Sequence, residues 1–146
     1  MLLPSGFNVE KRTPIYDGSH FTWGEATKNL SRPIEDLVID GKFIQSTYDI
    51  EASIIRTAKS LDAIRSLLGN RPIHINSWYR PVKVNVAVGG SKYSRHQYGD
   101  AVDIRSNYYS PQQIYKVLHS VHIGGIGRYY NFIHIDWRGS KARWYA

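Results

Sequence analysis

Apolar and polar residues follow two different spacings along the chain, and each spacing predicts one kind of element. Between Asp49 and Leu68 the apolar residues recur every three or four positions, which is the period of a helix with one buried face. Asp49 can cap the start of this helix, and the pair Gly69-Asn70 can end it. We expect this helix to be the scaffold of the core and to carry no chemistry.

Two further helices are predicted by the residues that start them. Thr22 and Glu25 fit a capping box, in which the two residues exchange hydrogen bonds, and the short helix that follows would run to about Leu30. Ser110-Pro111 starts the other helix, because serine caps a helix and proline suits its first turn. The second helix should turn three apolar side chains inward: Ile114, Val117 and Leu118.

A two-residue alternation predicts strands at 73–78, from Ala101 onward, and at 132–137, which is expected to be the last strand. The glycine-rich stretch 124–130 is also strand-like. Asp40-Gly41, between two short apolar runs, predicts the tight turn of a hairpin because both residues tolerate a positive φ.

Two stretches show neither spacing. Residues 1–20 are polar and rich in turn-forming residues, so they are expected to form an extended N-terminal segment on the surface. Residues 81–90 are predicted to be a loop with Gly89-Gly90 at its tip. With 146 residues and no repeats or linkers, the chain is expected to be a single domain, 1–146.

The candidate chemistry lies between Ser94 and Ile104. His96 precedes Asp103 by seven residues, and Gly99 between them lets the backbone turn so that imidazole and carboxylate converge. Both groups suit zinc, which catalytic sites usually hold with three protein ligands and an open position. His134 is the best candidate for the third ligand, and Asp136 shares its face of the strand.

Each of these residues also has a purely structural interpretation. His96 and Asp103 could belong to a capped loop and a solvated strand end, and His134 could be a core histidine with satisfied hydrogen bonds. The remaining histidines are expected to be structural, since they fall in a loop, in a scaffold strand or at a helix end that favours a cation: His20, His74, His119 and His122.

The motifs resemble those of peptidase family M15, the zinc D-Ala-D-Ala carboxypeptidase family. The pattern Ser-x-His-x-x-Gly-x-Ala-x-Asp at 94–103 resembles the family signature, and Phe-Ile-His-Ile-Asp at 132–136 resembles its C-terminal ligand strand. The segments 75–91 and 20–25 are similar to upstream segments of small phage-type and bacterial members. The resemblance implies an α+β fold, a small antiparallel sheet flanked by helices, as in hedgehog domains and D-Ala-D-Ala peptidases.

The resemblance also implies an activity and its residues. The activity is hydrolysis of a peptide bond in bacterial peptidoglycan stem peptides, as a D,D-carboxypeptidase or an endopeptidase, with one zinc ion held by His96, Asp103 and His134. Arg80 matches the family arginine that holds the substrate carboxylate or steadies the developing oxyanion, and its planar fork suits a carboxylate. Ser94 and Asn131 are expected to help bind the substrate.

The general base is the one departure from the family pattern. Several members place Glu, Asp or His three residues before the last ligand, where this chain has Asn131, which cannot act as a base. Asp136 is our predicted catalytic base; the alternatives are that it orients a ligand imidazole or pairs with Arg138 or Arg143. Because Asn131 cannot act as a base, a second function is also considered, in which the protein is a metal-stabilised cell-wall or peptide-binding module without turnover.

The charge and the absence of cysteine limit which binding partners and metal ligands are expected. The net charge of +7 suggests an anionic partner, but the cations are scattered, so we expect general attraction to the cell wall and no specific nucleic-acid site. A nucleic-acid binder would instead show steeply salt-dependent DNA binding. Cysteine is absent, so any metal must be held by histidines and carboxylates. The same ligand types serve non-haem iron oxygenases, although the surrounding motifs argue against that class.

The position of action is also an expectation. No apolar run is long enough to span a membrane, and residues 1–4 do not begin a signal peptide. We therefore expect cytoplasmic synthesis and action at the cell wall, reached with a phage particle, through a lysis pore, or by a signal outside this sequence. Three aromatic residues could line a sugar- or peptide-binding groove, although aromatic residues on strands more often belong to the core: Tyr129, Tyr130 and Trp137.

Overall fold

The computed structural model describes residues 1–146 and contains a five-stranded sheet, a separate hairpin and four α-helices. The helices are α1 (Trp23–Ala26), α2 (Thr47–Leu67), α3 (Val82–Ala87) and α4 (Pro111–Leu118), and a short 3₁₀ helix covers Arg95–Tyr98. The strands are β1 (Leu37–Ile39), β2 (Lys42–Gln45), β3 (His74–Ser77), β4 (Ala101–Arg105), β5 (Gly125–Arg128), β6 (Ile133–Asp136) and β7 (Ala142–Tyr145). The α+β fold expected from the sequence is confirmed.

The main sheet has the strand order β3-β4-β6-β5-β7. All of its pairs are antiparallel except β5 with β7, which run parallel. The sheet is thus antiparallel apart from this one pair, in agreement with the expected fold, whereas the expectation that the strand holding His134 is the last strand was wrong. The short β7, with sequence Ala-Arg-Trp-Tyr, has only four residues and none that is fully buried, so its apolar pattern is too brief to predict a strand.

The central strands β4 and β6 carry the core. Their inward side chains are completely buried: Val102, Ile104, Ile133 and Ile135. They share one apolar cluster with the inner face of α2, where Ile50, Ile54, Ala58 and Leu61 are also completely buried. Burial of each such branched side chain contributes about 1.5–3 kcal/mol relative to exposure, so the ligand-bearing strands rest on a rigid base.

The long helix α2 matches its predicted span closely, but its cap differs. Ser46 is the N-cap, and Asp49 is its partner in a capping box, through hydrogen bonds of 3.1 Å and 3.3 Å. Gly69 and Asn70 end the helix with φ values of 74° and 60°. No helix of the protein, α2 included, combines the length and apolar character needed to cross a membrane.

The capping box predicted at Thr22 is confirmed, and so is the helix start predicted at Ser110-Pro111. The turn at Asp40-Gly41 is confirmed as well, with φ values of 52° and 75°. The helix α1 is shorter than predicted because the backbone adopts positive φ directly after it, at Lys28, Asn29 and Leu30.

Two further expectations need correction. The stretch 81–90 is not only a loop: it contains α3, and Pro81 precedes that helix at a position where its missing N–H costs no helical hydrogen bond. On α4, Ile114 and Leu118 are buried, but Val117 is 42% exposed and does not point inward.

The N-terminal segment lies against α2 and is not confined to the surface. Leu3, Val9 and Ile15 reach the core. Asp62 of α2 fastens the segment, because its carboxylate accepts hydrogen bonds from the Tyr16 hydroxyl at 2.6 Å and the Ser19 hydroxyl at 2.7 Å.

Candidate metal centre

The pairing of β4 with β6 places two candidate ligands side by side. Asp103 on β4 lies directly opposite His134 on β6 in the antiparallel register. His96 comes from the 3₁₀ helix that leads into β4, and Gly99 closes that helix with φ 78°, a conformation that favours glycine. The ligand atoms of His96, Asp103 and His134 all lie within 4.8 Å of one another.

Each imidazole is oriented by a hydrogen bond on the nitrogen that faces away from Asp103. Nδ1 of His96 donates to the carbonyl of Trp78 at 2.7 Å, which leaves Nε2 toward Asp103 Oδ1 at 3.3 Å. Nε2 of His134 donates to Asp136 Oδ2 at 2.8 Å, which leaves Nδ1 toward Asp103 Oδ1 at 2.9 Å. This partnering of the outer nitrogen is characteristic of histidines that bind metal ions.

The electrostatics of the group also suit a cation. Burial would raise the pKa of Asp103, but its contacts with the imidazoles of His134 and His96 outweigh burial and hold that pKa well below its ordinary value. Burial would lower the pKa of His134, but its hydrogen bonds with Asp103 and Asp136 raise it instead. A negative carboxylate thus sits between two imidazoles, and this set of one oxygen and two nitrogen donors is one that zinc accepts, with a fourth position left open.

Asp136 lies behind His134 and does not line the cavity over the metal site. Its side chain is completely buried. Oδ1 accepts hydrogen bonds from Gly125 N–H at 3.0 Å and Arg138 Nε at 2.8 Å, and Oδ2 accepts from His134 and from Arg138 Nη2 at 2.7 Å. Both oxygens are therefore occupied, which argues against the predicted role as a general base and favours the alternative role of orienting His134.

The charge state of Asp136 agrees with that position. Burial would raise its pKa, but the hydrogen bonds from Arg138 and His134 hold the pKa well below its ordinary value. The ion pair expected with Arg138 or Arg143 is formed by Arg138. Arg143 instead donates to four backbone carbonyls, those of His119, His122, Gly124 and Ala142.

Arg80 lies beside the three ligands, at the edge of an open cavity of about 700 Å³. Its Nη2 is 3.7 Å from Asp103 Oδ2, and its Nε donates to the Ser77 hydroxyl at 3.2 Å. Ser94 also lines this cavity, and its hydroxyl accepts from the His96 N–H at 3.2 Å. Asn131 is exposed on the turn between β5 and β6 and does not line the cavity, contrary to the expectation that it contacts substrate.

Several residues of the cavity were missed by the sequence analysis: Lys92, Tyr93, Arg95, Phe132, Arg138 and Trp144. Arg95 and Arg138 are each held by a carboxylate behind the wall, Asp100 and Asp136 respectively. Trp144 comes from the unpredicted β7, and its ring centroid lies 5.3 Å from that of His134. The only signal in the sequence that these six residues line the cavity was that they lie near the two ligand motifs along the chain.

The remaining histidines lie outside the ligand group. His20 contacts Asp62, and the His119 ring stacks on Tyr115. His122 Nε2 donates to the backbone carbonyl of Asp136 at 2.7 Å, so it supports the end of β6 without reaching the cavity.

Two histidines and one aspartate that could hold a metal ion thus lie at the floor of a cavity with an adjacent arginine, an arrangement typical of metal-dependent enzymes, hydrolases among them. A sequence model described as Peptidase M15 matches residues 31–136, which include all three candidate ligands. The chain therefore belongs to peptidase family M15, as the motifs predicted.

The chain is also similar to a curated protein, the zinc D-Ala-D-Ala carboxypeptidase of Streptomyces albus G. The two are 42% identical over 53 residues, which is 36% of this chain. The match spans about a fifth of that protein, 21% of its length.

Proposed function

We propose that this protein is a zinc-dependent peptidase that hydrolyses a peptide bond in the stem peptides of bacterial peptidoglycan. The observation that carries the proposal is the convergence of His96, Asp103 and His134 under an open cavity beside Arg80. Membership of family M15 and the similarity to the zinc D-Ala-D-Ala carboxypeptidase of Streptomyces support both the metal and the substrate.

The residues of this chain have separate tasks in that reaction. His96 Nε2, His134 Nδ1 and a carboxylate oxygen of Asp103 would hold the ion, which when bound supplies Lewis acidity toward a water molecule and the scissile carbonyl. Arg80 reaches the same point with a planar donor fork, suited to a substrate carboxylate or to the oxyanion that develops during hydrolysis. Asp136 keeps His134 Nδ1 directed at the ion by holding a proton on Nε2.

The charge of the cavity supports an acidic peptide as substrate. Arg80, Lys92, Arg95 and Arg138 line it, and Asp103 is the only carboxylate that does. The carboxylates that pair with Arg95 and Arg138 lie behind the wall, at Asp100 and Asp136, whereas Lys92 pairs with the exposed Asp40 on the hairpin turn. A stem peptide carries free carboxylates along its length and at its end, so it complements such a surface.

The test is incubation of the purified, zinc-loaded protein with purified peptidoglycan, with and without a chelator, followed by mass spectrometry of the released fragments. Chelator-sensitive fragments are expected, and the masses of the new ends identify the bond. His134→Ala should abolish the release. His119→Ala is the matched control, since that histidine is exposed and lies outside the ligand group. Release that survives the chelator and His134→Ala would contradict the proposal.

One observation favours a second function, a metal-stabilised module that binds the cell wall without turnover. Asp136 is sealed behind His134, and Asn131 stands at the position of the family base, so Asp103 is the only carboxylate in the cavity. In that case the zinc-loaded protein would release no fragments but would sediment with peptidoglycan. We further propose that either activity is exerted at the cell wall, to which the net charge of +7 draws the protein.

A further inference from the structure

A second cavity, of about 480 Å³, opens between the start of α4 and the ends of β5 and β7. Its size lies within the range of about 300–1,000 Å³ that holds small ligands. Its wall is dominated by three tyrosines, Tyr129, Tyr130 and Tyr145, with Arg128 and Gln112 as polar neighbours. We call this cavity the tyrosine groove.

The aromatic rings of the tyrosine groove are exposed to an unusual degree. Tyr130 is 97% exposed and Tyr145 is 77% exposed, so their rings contribute little to the core. A tyrosine combines a flat apolar face with a hydroxyl that can donate or accept, and such residues are enriched where a protein binds a partner that is partly apolar and partly wet.

Arg128 is held in place within the groove by aromatic rings. Its guanidinium carbon lies 4.8 Å from the ring centre of Tyr115 and 5.2 Å from that of Tyr145. No Asp or Glu side chain lines the groove, so the planar N–H donors of Arg128 remain available to ligand oxygens such as those of hydroxyl and amide groups.

The groove shares a wall with the metal cavity. Tyr129 lines both, its ring stacks on Phe132 with 4.5 Å between the ring centres, and its hydroxyl accepts a hydrogen bond from Trp144 Nε1 at 3.1 Å. An extended peptide covers at most about 3.3–3.6 Å per residue, so a stem peptide of a few residues spans roughly 7–18 Å. Because the two cavities share Tyr129, a peptide of this length is long enough to extend from the metal cavity into the adjoining groove.

We propose that the tyrosine groove binds the glycan strand of peptidoglycan, the β-1,4-linked N-acetylated amino sugars to which the stem peptide is attached. This inference rests on the proposed function. The C–H faces of the sugar rings would pack on Tyr130 and Tyr145, and the acetamido and hydroxyl oxygens would accept hydrogen bonds from Arg128. The exposed, flat faces of Tyr130 and Tyr145 beside the donor-rich Arg128 fit a ligand that combines apolar ring faces with hydroxyl and amide oxygens.

The experiment titrates the zinc-loaded protein with soluble glycan strands from which all peptides have been removed, and follows binding by calorimetry and by tyrosine NMR signals. Tyr130→Ala and the double variant with Tyr145→Ala are compared with Tyr48→Ala, a tyrosine that is 66% exposed on α2 and outside the groove. Binding by the wild type and by Tyr48→Ala, with at least a tenfold loss in the double variant, is the expected result.

Absence of glycan binding by the wild type, or equal binding by all variants, overturns the inference. A second comparison measures cleavage of a free stem peptide against the same peptide attached to glycan, for which the double variant should lose rate only with the attached substrate. Equal loss with both substrates would assign the groove to the peptide instead. Glycan binding without any cleavage would refute the proposed function alone, and cleavage without glycan binding would refute the groove alone.

Discussion

Replacement of Asp136 by asparagine separates the two roles that this carboxylate could have. As a general base, Asp136 would be needed for turnover but not for metal binding. As the group that orients His134, it would be needed for metal binding itself. The structure favours the second role because Asp136 is completely buried and both of its oxygens are occupied.

The magnitude follows from the donors that asparagine cannot satisfy. Oδ1 faces the N–H of Gly125 and Nε of Arg138, and Oδ2 faces Nε2 of His134 and Nη2 of Arg138. Asparagine replaces one oxygen by an NH₂ group, so two donors meet a donor if that group takes the place of Oδ2, and three if it takes the place of Oδ1, which the Arg138 backbone N–H also faces. Loss of a buried charged partner costs about 3–5 kcal/mol of unfolding free energy. We expect about 3 kcal/mol, at the lower end, because the Arg138 side chain is 33% exposed and can be rehydrated.

Metal binding should weaken as well. Loss of the carboxylate that holds a ligand imidazole typically lowers metal affinity about 10–100-fold, which corresponds to about 1.4–2.8 kcal/mol. The assay is zinc competition with a chromophoric chelator, together with denaturant unfolding of the metal-free protein. Asp100→Asn is the matched control, because Asp100 also pairs with an arginine, Arg95, but contacts no ligand histidine. That variant should lose stability and keep its zinc affinity.

The outcome that would refute this reasoning is specific. If Asp136→Asn binds zinc with wild-type affinity and only turnover is lost, Asp136 is the general base after all. If Asp100→Asn weakens zinc binding as much as Asp136→Asn does, the effect reflects general loosening of the sheet and not the orientation of His134.

Three further predictions concern other parts of the molecule. Gly125→Ala should lower zinc affinity, measured by the same competition, because the added methyl would overlap the carboxylate of Asp136; unchanged affinity would show that this wall can move. Arg143→Ala should lower the unfolding free energy by about 2–4 kcal/mol, since it removes hydrogen bonds to four carbonyls, and denaturant titration should show Arg143→Lys to be less severe. Asp62→Asn should destabilise the protein at neutral pH. Burial alone would raise the pKa of Asp62, but its hydrogen bonds lower that pKa below the unfolded value. The ionised carboxylate therefore stabilises the fold above about pH 4, and this stabilisation is lost as the pH falls through the lower pKa of the folded state. Unfolding curves of wild type and Asp62→Asn should therefore converge in acid, and a constant difference would contradict this assignment.

Elements set by neighbouring residues could be predicted from the sequence. The span of α2, the turn at Asp40-Gly41 and the helix that starts at Ser110-Pro111 depend on hydrogen bonds and φ values within a few residues, so their signals are local. The spacing of the motif at 94–103 was equally informative, because the family whose signature it resembles is the family whose model matches the chain.

Only the tertiary structure decided how the candidate site is arranged. The sequence placed Asp136 on the same face as His134, but burial and the contact with Arg138 determine that it faces the rear of the imidazole and not the cavity. In the same way, β7 is too short to be recognised alone, and its parallel pairing with β5 brings Trp144 to the cavity wall. Strand register, depth of burial and the choice between two imidazole nitrogens result from packing between distant segments, which residue spacing along the chain does not encode.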